Sequence, residues 1–149
     1  MSEPSGTDTA EGRPKFSIAS TNFVLNDDQD TLNIDLVLND SGVRIVKRFT
    51  LSRNSYDIGV QYIINNGSSS SWNGIFYGQI KRDAKPPVTD VSGFSMQPFL
   101  GAALRQPEKN YAKFDFSDIE DESVKTSIEG GWVAMVQHYF ISAWIPPAD

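Results

Sequence analysis

In TLNIDLVLN, Thr31 to Asn39, Leu32, Ile34, Leu36 and Leu38 alternate with Asn33, Asp35, Val37 and Asn39. Successive side chains of a strand point to opposite faces, so this spacing gathers the four aliphatics on one face of a strand and would scatter them around a helix. NDSG at Asn39 to Gly42 reads as a turn. VRIVKRFTLS then continues the pattern, with Val43, Ile45, Phe49 and Leu51 on one side and Arg44, Arg48, Thr50 and Ser52 on the other. After the break RNS, YDIGVQYII alternates again through Tyr56, Ile58, Val60, Tyr62 and Ile64, and it stops at the polar loop NNGSSSS. Three consecutive antiparallel strands with one wet face make a meander.

The second half is more broken. WNGIFYGQIKRD reads as a strand carrying Ile75, Phe76 and Tyr77, and the paired Pro86 and Pro87 in DAKPPVTDVSG suit a surface connection rather than a central strand. FSMQPFLGAALRQPEKN holds room for a short strand between Pro98 and Pro107. YAKFDFSDI alternates imperfectly through Tyr111, Phe114 and Phe116, and the acidic run Asp118, Glu120, Asp121, Glu122 reads as a solvated turn. No amphipathic helix of ten or more residues emerges outside the closing segment. The expected fold class is all-β, a twisted antiparallel β-sandwich.

Composition narrows the function classes. With 13 Lys+Arg against 19 Asp+Glu, the formal net charge of −6 repels phosphate backbones, so nucleic acid is a poor partner. The absence of cysteine excludes disulfides, thiolate metal sites and a cysteine nucleophile. Met1 to Lys15 is rich in Ser, Thr, Gly, Pro and Glu without an apolar run, which is neither a signal peptide nor an anchor; residues 1–20 are expected to form a flexible tail and 21–149 the domain.

Candidate chemistry is sparse. NDDQD, Asn26 to Asp30, resembles the start of a calcium loop, but Thr31 stands where the sharp turn needs glycine and Val37 where a bidentate glutamate belongs. A charged hairpin end is the preferred reading. Asn66-Gly67-Ser68 satisfies the N-glycosylation pattern inside a turn that favours those residue types anyway. His138 is the only histidine; with Gln137 and Tyr139 as neighbours it lacks the second histidine or adjacent acid that metal or nucleophilic chemistry uses, and a structural role is preferred. The carboxylates at 118–122 could act as an acid and base pair only across a cleft, which spacing alone does not reveal. No catalytic, cofactor-binding or metal-binding residue is assigned.

GGWVAMVQHYFISAWIPPAD, Gly130 to Asp149, is the most apolar stretch and holds two of the three tryptophans. Trp132 to Ala148 falls short of the roughly 20 residues a bilayer span needs, and Gln137 and His138 sit at its centre, so no direct membrane span is expected. Trp132, Met135, Val136, Tyr139, Phe140 and Ala143 also fit the spacing of a helical face. Flanking Gly130-Gly131 and Pro146-Pro147, with the Val, Tyr, Phe, Ile and Trp content, favour strands with an irregularity near Gln137-His138. Trp132, Phe140 and Trp144 are expected in the core, each stabilising by roughly 2 to 3 kcal/mol.

Four ordered stretches carry a resemblance. GGWVAMVQHYFISAWIP (Gly130 to Pro146) resembles the signature of the large periplasmic domain of the YidC-type membrane protein insertases, in the YidC/Oxa/Alb family. KRFTLSRNSYDIGVQYIINN (Lys47 to Asn66) is similar to that family's strand pair, FYGQIKRD (Phe76 to Asp83) to its following strand, and FLGAALRQPEKNYAKFDFSDI (Phe99 to Ile119) to its Gly-Ala-Ala, Pro-x-x-x-Tyr-x-Lys and aromatic-x-Phe-x-x-Ile series.

The resemblance implies a supersandwich similar to aldose epimerase-like proteins, here incomplete, because the family's periplasmic domain is longer than this chain. It implies a place on the periplasmic side of the bacterial inner membrane, as part of a multi-pass protein whose five-helix core carries out insertion. None of that core's residues has a counterpart here. The implied role is non-catalytic, supporting insertion and folding of inner-membrane proteins alone or with the Sec translocon. The implied partners are Sec components such as SecDF and nascent membrane proteins, with no cofactor. Fold analogy also suggests a different class, a sugar-binding or epimerase-like sandwich, with Trp72, Phe76 and Tyr77 as the aromatic candidates. Epimerases of that type use paired histidines, and this chain has one.

Overall fold

The computed structural model describes residues 13–82, 99–137 and 139–147, in two compact units, Met1–Phe76 and Tyr77–Asp149. The first unit is a four-stranded antiparallel sheet in chain order: β1 (Ser17–Ile18), β2 (Thr31–Asp40), β3 (Val43–Ser52) and β4 (Ile58–Asn66). β2 and β3 pair over their full length, from Thr31 opposite Ser52 to Asp40 opposite Val43. This leaves Ser41 (φ 49°) and Gly42 (φ 83°) to reverse the chain. Two successive positive φ values give the twist that a two-residue hairpin loop needs, and glycine enters that region without a Cβ penalty.

Register then sorts the side chains as the alternation predicts. Leu32, Ile34, Leu36 and Leu38 stand beside Leu51, Phe49, Lys47 and Ile45, and these beside Ile58, Val60, Tyr62 and Ile64. Leu38, Val43 and Ile45 form the buried centre of that face, with Phe16 and Trp72 packed against them. The opposite face carries a bidentate Arg48–Asp35 pair, both bonds at 2.7 Å, and a Thr50 to Asn33 hydrogen bond at 2.7 Å. It is not uniformly wet: Val37, Val46 and Ile63 lie side by side across it, and Val46 is 3% exposed.

Of the tail expected over residues 1–20, positions 1–12 lie outside the described residues, and Ser17 and Ile18 are already paired with Val37 and Leu36.

The second unit is also a four-stranded antiparallel sheet, but not in chain order. β5 (Leu100–Gln106) and β6 (Lys109–Asp115) form a hairpin with an irregularity at Arg105; α1 (Phe116–Asp121) follows; β7 (Val133–Gln137) and β8 (Phe140–Trp144) form a second hairpin. The order is β6-β5-β7-β8, so the chain crosses from one side of β5 to the other between β6 and β7. Small residues permit that close packing. Ala103, Ala112 and Ala134 are essentially buried, and a side chain at Gly101 would meet the Phe114 backbone and the Phe99 ring.

The all-β class is borne out: among the described residues there are two antiparallel four-stranded sheets and one six-residue helix, consistent with a β-sandwich. Three local expectations are corrected. WNGIFYGQIKRD forms no strand among its described residues 72–82. Its aromatics pack one by one instead: Trp72 on the first unit's core, and Phe76 against Tyr62 at 5.5 Å between ring centroids.

The acidic run is helical through Asp121, not a turn. Asp118 accepts the Asp115 backbone N–H at 3.1 Å, satisfying a group at the helix start, where its charge also suits the helix dipole. In the closing segment the strand reading holds, but Phe140 is 75% exposed, because β8 is the outermost strand; Trp132 and Trp144 are half-buried. Among the described residues no helix is long and apolar enough to cross a membrane.

Candidate functional site

The second unit brings a lysine and three aromatic side chains together beside a groove. In β6, alternate residues Tyr111, Lys113 and Asp115 share a face, opposite the small residues Ala103 and Gly101 of β5. The Lys113 ammonium stands 4.9 Å from the Phe99 ring centre and 5.5 Å from that of Tyr111. Tyr111 in turn leans on Trp132, with centroids 5.6 Å apart. Phe99, Lys113, Tyr111 and Trp132 thus form a row in which a cation is held between two ring faces by their quadrupoles. Lys113 also borders an open groove, together with Phe114, Asp118, Glu122, Ser123, Val124 and Lys125. Two cations, two carboxylates and two apolar side chains suit an extended polypeptide better than an ion of one sign.

The segment 77–82 is fastened within the same unit. Gly78 lies so close to Trp144 that a Cβ there would come within 2.8 Å of the indole. Arg82 donates to Gln137 Oε1 at 2.7 Å, and its guanidinium stands 5.3 Å from the Phe116 ring centre. Parity along β6 could have disclosed the Tyr111/Lys113 pairing from sequence. No such signal marks the groove or the Arg82 anchor, which depend on crossovers.

The other sequence candidates are not brought together. His138 lies outside the described residues. Asp118 is engaged in the helix start, and α1 and its flank put Glu120, Asp121 and Glu122 in exposed positions. In the NDDQD loop, Arg53 donates from Nη2 to the Asn26 and Gln29 carbonyl oxygens at 2.7 and 3.0 Å. The guanidinium thus fastens the loop backbone to the end of β3. Among the described residues no three His, Cys, Asp or Glu side chains are grouped to hold a metal. The Asn66 amide is tied into its own turn, donating to the Ser70 carbonyl at 2.8 Å and accepting from Ser68 Oγ at 2.6 Å. Of the three aromatics considered for glycans, Trp72 serves core packing, whereas Phe76 and Tyr77 are 60% and 64% exposed.

Comparison with known proteins decides the family. The model of the YidC periplasmic domain matches residues 1–149. The chain belongs to the YidC periplasmic domain family. It is 51% identical over 144 residues to the membrane protein insertase YidC of Cellvibrio japonicus, covering 97% of this chain and 26% of that protein. Against the YidC proteins of Saccharophagus degradans and Alcanivorax borkumensis it is 48% identical over 145 residues and 46% over 148, covering 97% and 96% of this chain and 26% and 25% of theirs.

The chain therefore spans about a quarter of the length of the curated relatives it matches. Membership places it on the periplasmic side of the inner membrane. The four stretches that resemble YidC map onto β3 and β4, the described residues 76–82, β5 through α1, and β7 and β8.

Proposed function

We propose that this chain is part of a non-catalytic periplasmic domain of a membrane protein insertase, supporting insertion and folding of inner-membrane proteins through protein contacts, alone or beside the Sec translocon. The observation that carries this reading is the family match along the whole chain, with relatives named as insertases. The Lys113 groove, with its mixed charges and apolar walls, supplies a surface of the right chemistry. Nascent membrane proteins and Sec components such as SecDF are the partners proposed.

Photo-crosslinking in the full-length parent tests this. A crosslinking amino acid in place of Tyr111 or Lys125 is expected to give adducts with a Sec component or a nascent client. Absence of any protein adduct from both positions, with insertion intact, would remove the contact role.

Glycan binding is the second reading, favoured by the exposed rings of Phe76 and Tyr77. Calorimetric titration with mono- and oligosaccharides separates the two. Saturable heat lost in Tyr77→Ala would establish the glycan reading, and flat titrations would end it.

A further inference from the structure

Asparagine followed by glycine occurs twice in the chain, at Asn66-Gly67 and at Asn73-Gly74. In this dipeptide the side-chain amide is open to attack by the next backbone nitrogen, because glycine has no Cβ to screen the approach. The two pairs share the sequence but not the surroundings.

At Asn66 the participating groups are tied down. The residue ends β4, in register with Val43. Its side-chain amide donates to the Ser70 carbonyl at 2.8 Å, and its Oδ1 accepts from the Ser68 backbone N–H at 3.0 Å and from Ser68 Oγ at 2.6 Å. The nitrogen that would attack, Gly67 N, donates to the Gly42 carbonyl at 3.0 Å. Bringing Asn66 Cγ onto Gly67 N breaks the bonds that hold both.

Asn73 is the opposite case. Asn73 and Gly74 lie in no strand or helix and are exposed. Among the described residues neither the Asn73 amide nor the Gly74 N–H has a hydrogen-bond partner. Trp72, packed on Leu38, Val43 and Ile45, anchors the chain just before them, and the exposed Ile75 follows.

We propose that Asn73 is a site of spontaneous covalent modification, converting to aspartate and isoaspartate, while Asn66 is held unreactive by its turn. The Gly74 nitrogen loses its proton and bonds to Asn73 Cγ, the Cγ–Nδ2 bond breaks, and ammonia leaves with that proton. Water then opens the cyclic imide at either carbonyl. One opening gives aspartate; the other routes the main chain through Cγ and gives isoaspartate. Either product adds one negative charge to the formal −6, next to Trp72. The reaction rests on the two turns and does not depend on the proposed function.

Incubation of the folded chain at mildly alkaline pH, where deprotonation of the amide speeds attack, followed by fragmentation mass spectrometry, reads both sites in one sample. Asn73 is expected to convert on the order of tenfold or more faster than Asn66, whose bonds must open first. In urea, where both turns are lost, the two rates should converge. Ser68→Ala removes one bond on Asn66 and should raise its conversion several-fold while leaving Asn73 unchanged. Asn73→Gln tests the reactive site, because the longer side chain closes the ring poorly; in Gly74→Ala the new Cβ would collide with the Trp72 indole. Isoaspartate methyltransferase labelling of the folded chain should fall several-fold in Asn73→Gln. Equal rates at the two sites in the folded chain, an Asn73 that converts only in urea, a rate ratio that urea leaves unchanged, or undiminished labelling of Asn73→Gln would each overturn the proposal.

Discussion

Asp35 and Arg48 show how a half-exposed pair becomes a measurable pH dependence. The Arg48 guanidinium hydrogen-bonds both oxygens of Asp35, lowering the carboxyl pKa below its ordinary 3.8, with Arg44 contributing a smaller attraction. A group with a lowered folded-state pKa stabilises the fold above its unfolded pKa and loses that contribution as pH falls through the folded value. Asp35→Asn should therefore lower the urea midpoint at pH 7, and the gap from wild type should close below the folded-state pKa of Asp35. The effect will be small, because the side chains are 35% and 37% exposed and water and salt screen them. A gap of the same size at pH 7 and at pH 2 would show that the pair is held by something other than charge. At the other extreme stands Ala103, fully buried opposite Ala134 and Lys113. Ala103→Leu adds volume where strands have no room to part, and it should cost about 1 to 3 kcal/mol in denaturant unfolding. An unchanged midpoint would mean that the site relaxes freely.

Elements were legible in the sequence in proportion to how purely their pattern reflects one buried face. β2, β3 and β4 follow from period in existence, pairing order and main apolar face, but not in their limits: β2 runs on through Asn39 and Asp40, β4 begins at Ile58 rather than Tyr56, and Lys47, Val37, Val46 and Ile63 break the strict division of faces. The closing strands were legible from Val, Tyr, Phe, Ile and Trp between paired glycines and prolines, but their burial was not. That depends on β8 ending the sheet, and strand order across a crossover leaves no trace in local spacing. Segment 72–82 has the composition of a strand yet forms none among the described residues, because Trp72 and Phe76 find separate seats and Gly78 lies flush against Trp144. Helix α1 is too short for periodicity to register, and the bond from Asp115 N–H to Asp118 is what marks it. Lys113 lay within reach of parity, whereas the groove beside it required knowing that residues 123–125 return past β6. The fastening of segment 77–82 is itself testable. Arg82→Ala removes both the Gln137 bond and the stacking on Phe116, and it should speed chymotryptic cleavage after Tyr77 several-fold while global unfolding shifts by less than about 1 kcal/mol. Cleavage at the wild-type rate would show that the close contact of Gly78 with Trp144 suffices as an anchor.

At the scale of the whole molecule, apolar edge and net charge oppose each other. A chain matching about a quarter of its relatives' length presents an uncharged outer strand with Phe140 and Ile141 exposed, and an exposed apolar edge promotes association. It should accordingly self-associate more readily than the complete periplasmic domain of a relative, and sedimentation of both at equal concentration would show it. The charge of −6 works the other way, since two like-charged copies repel over distances comparable to the Debye length, about 30 Å at 0.01 M salt and 8 Å at 0.15 M. Salt therefore separates the possible causes of association. Contact through an apolar edge strengthens as screening removes the repulsion, so raising sodium chloride from low to physiological concentration should lower the dissociation constant. Contact between the Lys113 and Lys125 cations of one copy and the acidic run of another would weaken under the same change. Association that grows with salt, and grows again as pH approaches the sequence pI of 4.7 and net charge vanishes, is the outcome expected of contact through the apolar edge; association that salt dissolves would assign the contact to the charged groove.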